Sequence, residues 1–264
     1  MTNPVVLVER RAFVTIIILN RPETGNAVNA ALWSGVGAAL AEAERNDDVR
    51  AVIVTGAGGR IFCAGADLKA LARGEKISPV APEELAWGFA GIATHPISKP
   101  LIAAVNGSAL GGGTEIALAC DLVIAVESAM FGLPEVKRGL VAAAGGAFRL
   151  RRQLPPKIAM EMLLTGDPIS AARALELGLI NAVVPRVGLI DAALALAARI
   201  TGNAPLAVQA TKRIAKGLAD GMVGTEAASW TQTRSEIRAL LKSEDLREGA
   251  TAFAEKRAPV WTGR

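Results

Sequence analysis

The 264-residue sequence predicts an α/β fold with a parallel sheet at its centre. Three observations make that prediction. The runs "VRAVIVTG", "LIAAVNG" and "DLVIAVE" are apolar almost throughout, as expected of strands buried on both faces. Segments of helical spacing lie between and around them, and strands alternating with helices imply a parallel sheet. From about Pro155 onward, helical patterns take over.

In chain order, "VVLVER" and "FVTIIILN" read as a short pair of strands. "AVNAALWSGVGAALAEAERN" carries helical spacing and ends in polar residues. "VRAVIVTG" is a buried strand stopped by the turn-rich "GAGG". "ARGEKISPVAPEE" reads as an exposed loop and a candidate lid beside a binding site. "LIAAVNG" and "DLVIAVE" are the next strands, and between them a glycine-rich turn leads into about two helical turns, "TEIALAC". "PKIAMEMLLTG", "SAARALELGLI", "GLIDAALALAARITG", "PLAVQATKRIAKGLADG", "TEAASWTQTRSEIRALLKS" and "DLREGATAFAEKR" read as amphipathic helices parted by Gly, Pro or Asn. A helical tail of this length must cover either the sheet or another subunit.

Composition excludes several classes. A hydrophobic fraction of 51% with 20% charged residues describes an ordinary globular protein. The net charge of +4 points mildly to an anionic ligand, but Lys and Arg are scattered and no basic patch argues for nucleic acid. Two cysteines, Cys63 and Cys120, exclude a disulfide framework and read as buried free thiols, which suits a reducing cytoplasm. Glu9, Arg10 and Arg11 interrupt the N-terminal apolar run, so it is not read as a signal peptide, and no uninterrupted run reaches membrane-spanning length.

The candidate chemistries narrow quickly. "GSALGGGT" nearly fits a phosphate-binding loop, but Gly113 stands where the required lysine would be. "VIVTGAGGRIFCAGADL" resembles the start of a dinucleotide-binding unit, yet a short-chain reductase needs a tyrosine and the chain has none. A hydrolase triad would have to use the single histidine, His95, which reads as a helix-terminal residue, and Ser108 is not in a nucleophile elbow. One histidine and scattered carboxylates offer no metal-ligand spacing. Glu115 and Glu135 remain, each set in small, apolar sequence. Two carboxylates in a low-dielectric site can share a proton and act as acid and base. The plainer readings are a helix-dipole charge for Glu115 and an exposed turn residue for Glu135.

With these residues in view, the chain resembles the crotonase family, also called the enoyl-CoA hydratase/isomerase family. "LNRPETGNAVNAAL", "FCAGADLKAL", "KPLIAAVNGSALGGGTEIALACDLVIA", "FGLPEVKRGLVAAAGGAFRL" and "TGDPISAARALELGLINAVVP" are similar to its motifs, in the same order, over nearly the whole chain. The resemblance implies a crotonase-type spiral of ββα units: an acyl-CoA-binding catalytic core over residues 1–200, then a C-terminal helical oligomerisation region over 201–264. It implies an enoyl-CoA hydratase that adds water to a 2-trans-enoyl-CoA. Enoyl-CoA isomerisation, a carnitinyl-CoA dehydratase-like reaction and a catalytically weak acyl-CoA-binding protein are the alternatives.

The resemblance also implies residue roles. Backbone N–H groups of Ala66 and Gly112 would form an oxyanion hole, where losing one donor typically costs on the order of a hundredfold in rate. Glu135 would protonate the carbon next to the thioester, and Glu115 would orient and deprotonate the water. Backbone near Ala64, Asp67 and Leu68 would meet the adenine, and Lys256 and Arg257 would meet coenzyme A phosphates. No metal or redox cofactor is implied, since coenzyme A enters with the substrate, and no nucleic-acid or membrane partner. The implied assembly is a homotrimer or a hexamer of paired trimers. Two departures stand out: Ala142 and Ala143 where many members have proline and glycine, and Thr24 and Gly25 in place of a basic pair.

Overall fold

The computed structural model describes residues 4–219 and 221–264. The chain opens with an antiparallel hairpin, β1 (Val6–Arg11) and β2 (Val14–Leu19). Helix α1 (Ala30–Arg45) follows, its first turn capped by the Asn29 side chain, which accepts from the Leu32 N–H.

Three turns of a spiral come next. β3 (Ala51–Gly56) leads to β4 (Ile61–Cys63) and the short helices α2 (Leu68–Ala72) and α3 (Pro82–Ala86). β5 (Leu101–Val105) leads to β6 (Ser108–Leu110) and α4 (Gly112–Ala119). β7 (Leu122–Val126) leads to β8 (Met130–Gly132), then α5 (Gly146–Gln153) and α6 (Pro156–Thr165). In each turn the first strand joins one sheet and the second strand joins another. The larger sheet, completed by β10 (Ala182–Val184), runs β1-β2-β3-β5-β7-β10 and is parallel from β2 onward. The smaller runs β4-β6-β8-β9, with β9 (Ile169–Ser170) antiparallel at its edge. This is the expected spiral of ββα units.

Burial explains the strand readings. Every residue of β3 and β5 is buried, so neither strand shows alternation. Helix α7 (Ala171–Glu176) starts at the Ser170 cap, and α8 (Leu189–Thr201) lies against β3, β5 and β7. The helical tail thus partly covers the sheet. Beyond it, α9 (Pro205–Lys216), the small hairpin β11 (Leu218–Ala219) and β12 (Met222–Val223), α10 (Ala227–Leu240) and α11 (Glu244–Glu255) complete the chain. Helix α9 stops at Lys216, capped by Gly217 at φ 65°, short of the Gly221 end that the sequence suggests; Asp220 and residues 1–3 lie outside the described residues. Neither α9 nor α10 buries a residue fully, and Leu206, Ile214 and Leu241 are exposed. No single helix among the described residues is long and apolar enough to cross a membrane.

Candidate active site

The site forms where α4 begins. Its three opening glycines are required for three different reasons. Gly111 has φ 55° and ψ −125°, a conformation that a side chain strains, and a Cβ there would lie 3.0 Å from Oε1 of Glu135. A Cβ on Gly112 would run into the Phe89 ring and stand 3.2 Å from the Gly65 Cα. One on Gly113 would strike the Cys63 carbonyl. Phe89 and Gly65 thus fill the space that a side chain at residue 112 would need.

Gly112 is the first residue of α4, so its N–H is one of the donors a helix leaves free. Gly65 packs against it, with a Cβ at Gly65 lying 3.0 Å from Gly112 N. Ala66 is the next residue, bridged to Val28. Among the described residues, neither the Ala66 nor the Gly112 N–H has a hydrogen-bond acceptor. Two unpartnered backbone donors therefore stand on adjoining segments, one of them at the positive end of a helix.

Glu115 lies in the first turn of α4 and is only 4% exposed. Its Oε1 accepts from the Ala144 N–H at 2.7 Å and the Gly146 N–H at 2.9 Å. Burial raises its pKa and the charge of Glu135 adds to the rise, while the two N–H donors and Arg149 oppose it. Glu135 sits in the 3-10 turn Pro134–Arg138 after β8, and burial raises its pKa as well. Its Oε2 is buried with no partner among the described residues. The plainer reading of Glu135 as an exposed turn residue fails on that burial. Together the two carboxyls form a pair that favours holding a proton between them.

The remaining sequence candidates divide. The Ala64 N–H donates to Gly25 O at 2.9 Å, and Ala64 and the half-buried Leu68 flank the Ala66 segment. Asp67 is buried and caps α2, its Oδ1 accepting from the Ala70 N–H at 3.0 Å and its Oδ2 lying 2.9 Å from Arg21 Nη1. Burial works against its charge, but the Ala70 N–H and Arg21 hold its carboxyl below the ordinary range. Its side chain is thus structural, and its backbone is engaged as well: the N–H donates to Val28 O and the carbonyl accepts from the Leu71 N–H, each at 3.0 Å. Lys256 and Arg257 lie at the far end of α11. Arg257 is engaged with Glu248, at 2.8 Å from Oε2, and with Glu255 at 2.6 Å. Among the described residues no hydrogen bond or ion pair joins either to residues 64–68 or 111–115.

Sequence reading missed four contributors. Phe89, Gly65 and the Ala144–Gly146 turn shape the site, and Asn26 anchors it: its Nδ2 donates to the carbonyls of Ala57, Ile61 and Phe62. The "AAAGG" of residues 142–146 is the one signal that marked such a turn. His95 is not helix-terminal. It follows the 3-10 turn Phe89–Gly91 and stacks on Trp87, and burial lowers its pKa to about 4. Among the described residues no cluster of three His, Cys, Asp or Glu could hold a metal ion.

Comparison with known proteins settles the family. Residues 9–264 match the family model described as enoyl-CoA hydratase/isomerase. The chain belongs to the enoyl-CoA hydratase/isomerase family. That family's enzymes act on acyl-CoA thioesters. Its relatives include a carnitinyl-CoA dehydratase of Proteus mirabilis, 43% identical over 96% of this chain and 97% of the relative. Among solved structures, a carnitinyl-CoA hydratase from Mycobacterium avium is 58% identical, with a TM-score of 0.97 over all of both chains. An enoyl-CoA hydratase from Mycobacterium tuberculosis H37Rv is 48% identical, with a TM-score of 0.76 over 99% of this chain and 100% of that one.

Proposed function

We propose that this member of the family is a hydro-lyase that adds water reversibly across the 2,3 double bond of a 2-trans-enoyl-CoA, giving a 3-hydroxyacyl-CoA. The observation that carries the reading is the pair of carboxyls beside the start of α4: Glu115, buried and held by two N–H donors, and Glu135 from the turn after β8, with its Oε2 buried and unpartnered among the described residues. An isomerase needs one acid; adding water needs a base for the water and an acid for the carbon.

In the hydration direction, the substrate thioester oxygen rests on the N–H groups of Ala66 and Gly112. Glu115, ionised, takes a proton from water as its oxygen bonds to C3. The double-bond electrons move to C2 and the thioester, and the two N–H donors stabilise the enolate as its charge develops. Glu135 gives its proton to C2, completing the product. The dyad ends with its proton on the other carboxyl, and exchange with solvent resets it.

Backbone of Ala64, Asp67 and Leu68 is the proposed adenine contact. Lys256 and Arg257 are the proposed phosphate contacts, and Arg257 would have to leave Glu248 and Glu255 to serve. Exposed Leu206, Ile214 and Leu241 on the C-terminal helices support a homotrimer or a pair of trimers, which light scattering would measure. The buried free thiols Cys63 and Cys120 suit a cytoplasmic setting.

A second reading concerns the acyl group. The relatives named for carnitinyl-CoA, and the Phe89 ring packed against Gly112 with Trp33 edge-on to it at 5.7 Å, favour a quaternary-ammonium acyl chain, since aromatic faces bind such cations. The test is a panel of crotonyl-CoA, a longer enoyl-CoA and crotonobetainyl-CoA, followed by loss of the conjugated-thioester absorbance. A kcat/KM at least tenfold higher for crotonobetainyl-CoA selects the second reading. Double-bond migration without hydration, or binding with no turnover of any member, would overturn the hydro-lyase.

A further inference from the structure

The turn that holds Glu115 has a buried cation packed against it. Ala144 and Gly146 donate to Glu115, and Gly145 between them has φ 104°. A Cβ at Gly145 would stand 3.2 Å from Arg149 Nη1 and 3.3 Å from its Cζ, so the guanidinium lies directly on the turn. The Arg149 backbone N–H also donates to Gly145 O at 2.9 Å. Arg149 is only 8% exposed, and its Nη1 has no partner among the described residues.

The other edge of the guanidinium is fixed from the C-terminal helices. Nε and Nη2 of Arg149 donate to Glu226 at 2.9 and 2.7 Å, and Nη2 also reaches Ala93 O at 2.8 Å. Glu226, 8% exposed, ends the 3-10 turn that opens α10. It also accepts from Trp230 Nε1 at 3.2 Å, and Arg152 Nη1 lies 3.5 Å away. A continuous contact therefore runs from α10 through Glu226 and Arg149 to the turn that grips Glu115.

A buried ion pair is a poor way to gain stability, because packed apolar residues of similar volume often do as well or better. Its placement suggests a different use. We propose that Arg149 and Glu226 are a positioning pair for Glu115, setting both the geometry of the Ala144–Gly146 turn and the charge that faces it. The proposal rests on the hydro-lyase reading and assigns the C-terminal helical region a part in the reaction beyond packing.

The charges around Glu115 make this testable by sign. Glu135 faces it from the turn after β8 and Arg149 from α5. Among the described residues, β4, β5, β6 and the Phe89–Gly91 turn, which also pack on α4, carry no charged residue, while Lys216 of α9 donates to Ala119 O at its far end, 3.2 Å away. Around Arg149 stand Glu226 and Arg152; at the far end of α4, Asp121 is paired with Lys212 and Lys216.

The experiment is the pH profile of kcat, with KM and melting temperature, for the wild type, Arg149→Gln, Arg149→Lys, Glu226→Gln and Glu115→Gln. Arg149→Gln removes a cation, so the acid limb moves to higher pH by roughly half a unit or more. Glu226→Gln leaves that cation unneutralised, so the limb moves to lower pH. Arg149→Lys keeps the charge without the fork, so the limb stays while kcat falls about tenfold at near-constant KM. A packing role alone would lower stability without opposite shifts. Limbs that stay put, or move the same way in both charge-removing variants, overturn the proposal. If Arg149→Gln does not fold, the direction of the Glu226→Gln shift decides. If Glu115→Gln is fully active, the hydro-lyase reading falls; if it is inactive and the other limbs are unmoved, only the positioning pair falls.

Discussion

Gly111 and Glu135 share a space that only one of them can fill: a Cβ on the glycine would lie 3.0 Å from the glutamate Oε1. Glycine is needed there twice over, since the backbone at φ 55° and ψ −125° is also strained for any side chain. Gly111→Ala should therefore destabilise the protein by about 1–3 kcal/mol and displace Glu135 as well. Calorimetry and steady-state kinetics measured together should show kcat falling on the order of tenfold or more in protein that is still folded. A variant that loses stability but keeps full kcat would mean that Glu135 does not need its place.

The carboxyl pair predicts how stability responds to pH. Both carboxyls have a folded pKa above the ordinary value of 4.5, because burial disfavours their charge. Between 4.5 and the raised values the native state holds more protons than the unfolded one, so stability is full below that window and falls as pH rises through it. Glu115→Gln removes one of these groups. Its stability relative to wild type should improve as pH rises above 4.5, read from denaturant midpoints at several pH values. A gap between the two proteins that does not change with pH would contradict the raised pKa.

Asp67 predicts the opposite slope. Its folded pKa is held below 3.8, so its contribution is present above that value and is lost as pH falls through the lowered folded value. Asp67→Asn removes the carboxylate charge opposite Arg21, whose side chain is 13% exposed, and weakens the cap of α2. The expected cost is about 1–3 kcal/mol at neutral pH, shrinking toward pH 3, by the same denaturant series. Because α2 begins at Leu68, a proposed adenine contact, KM for acyl-CoA should rise as well.

How much of this was legible in the sequence depends on the length and chemistry of each segment. "VRAVIVTG" is readable because all six residues of β3 are buried and its first four, "AVIV", form an unbroken apolar run. The second sheet was not, since β4, β6 and β8 have three residues each, too few to establish a period. Helix α5 was hidden because one of its few buried residues is Arg149, an arginine where hydropathy expects an apolar side chain. The sequence around Pro82 reads as loop, yet Pro82 opens α3 at the first helical position and Glu83 and Glu84 fill its first turn. Glu115 and Glu135 stood out as charges in apolar sequence. The donors to Glu115 and the ring of Phe89 did not, because they meet α4 only through the fold.

The central claim is that Glu115 and Glu135 together move the protons of water addition. Its most direct test is hydration of a 2-trans-enoyl-CoA by the wild type, Glu115→Gln and Glu135→Gln, followed by loss of the conjugated-thioester absorbance at neutral pH. Each substitution should lower kcat on the order of a hundredfold or more, with KM much less affected. Full activity in either variant would contradict the claim.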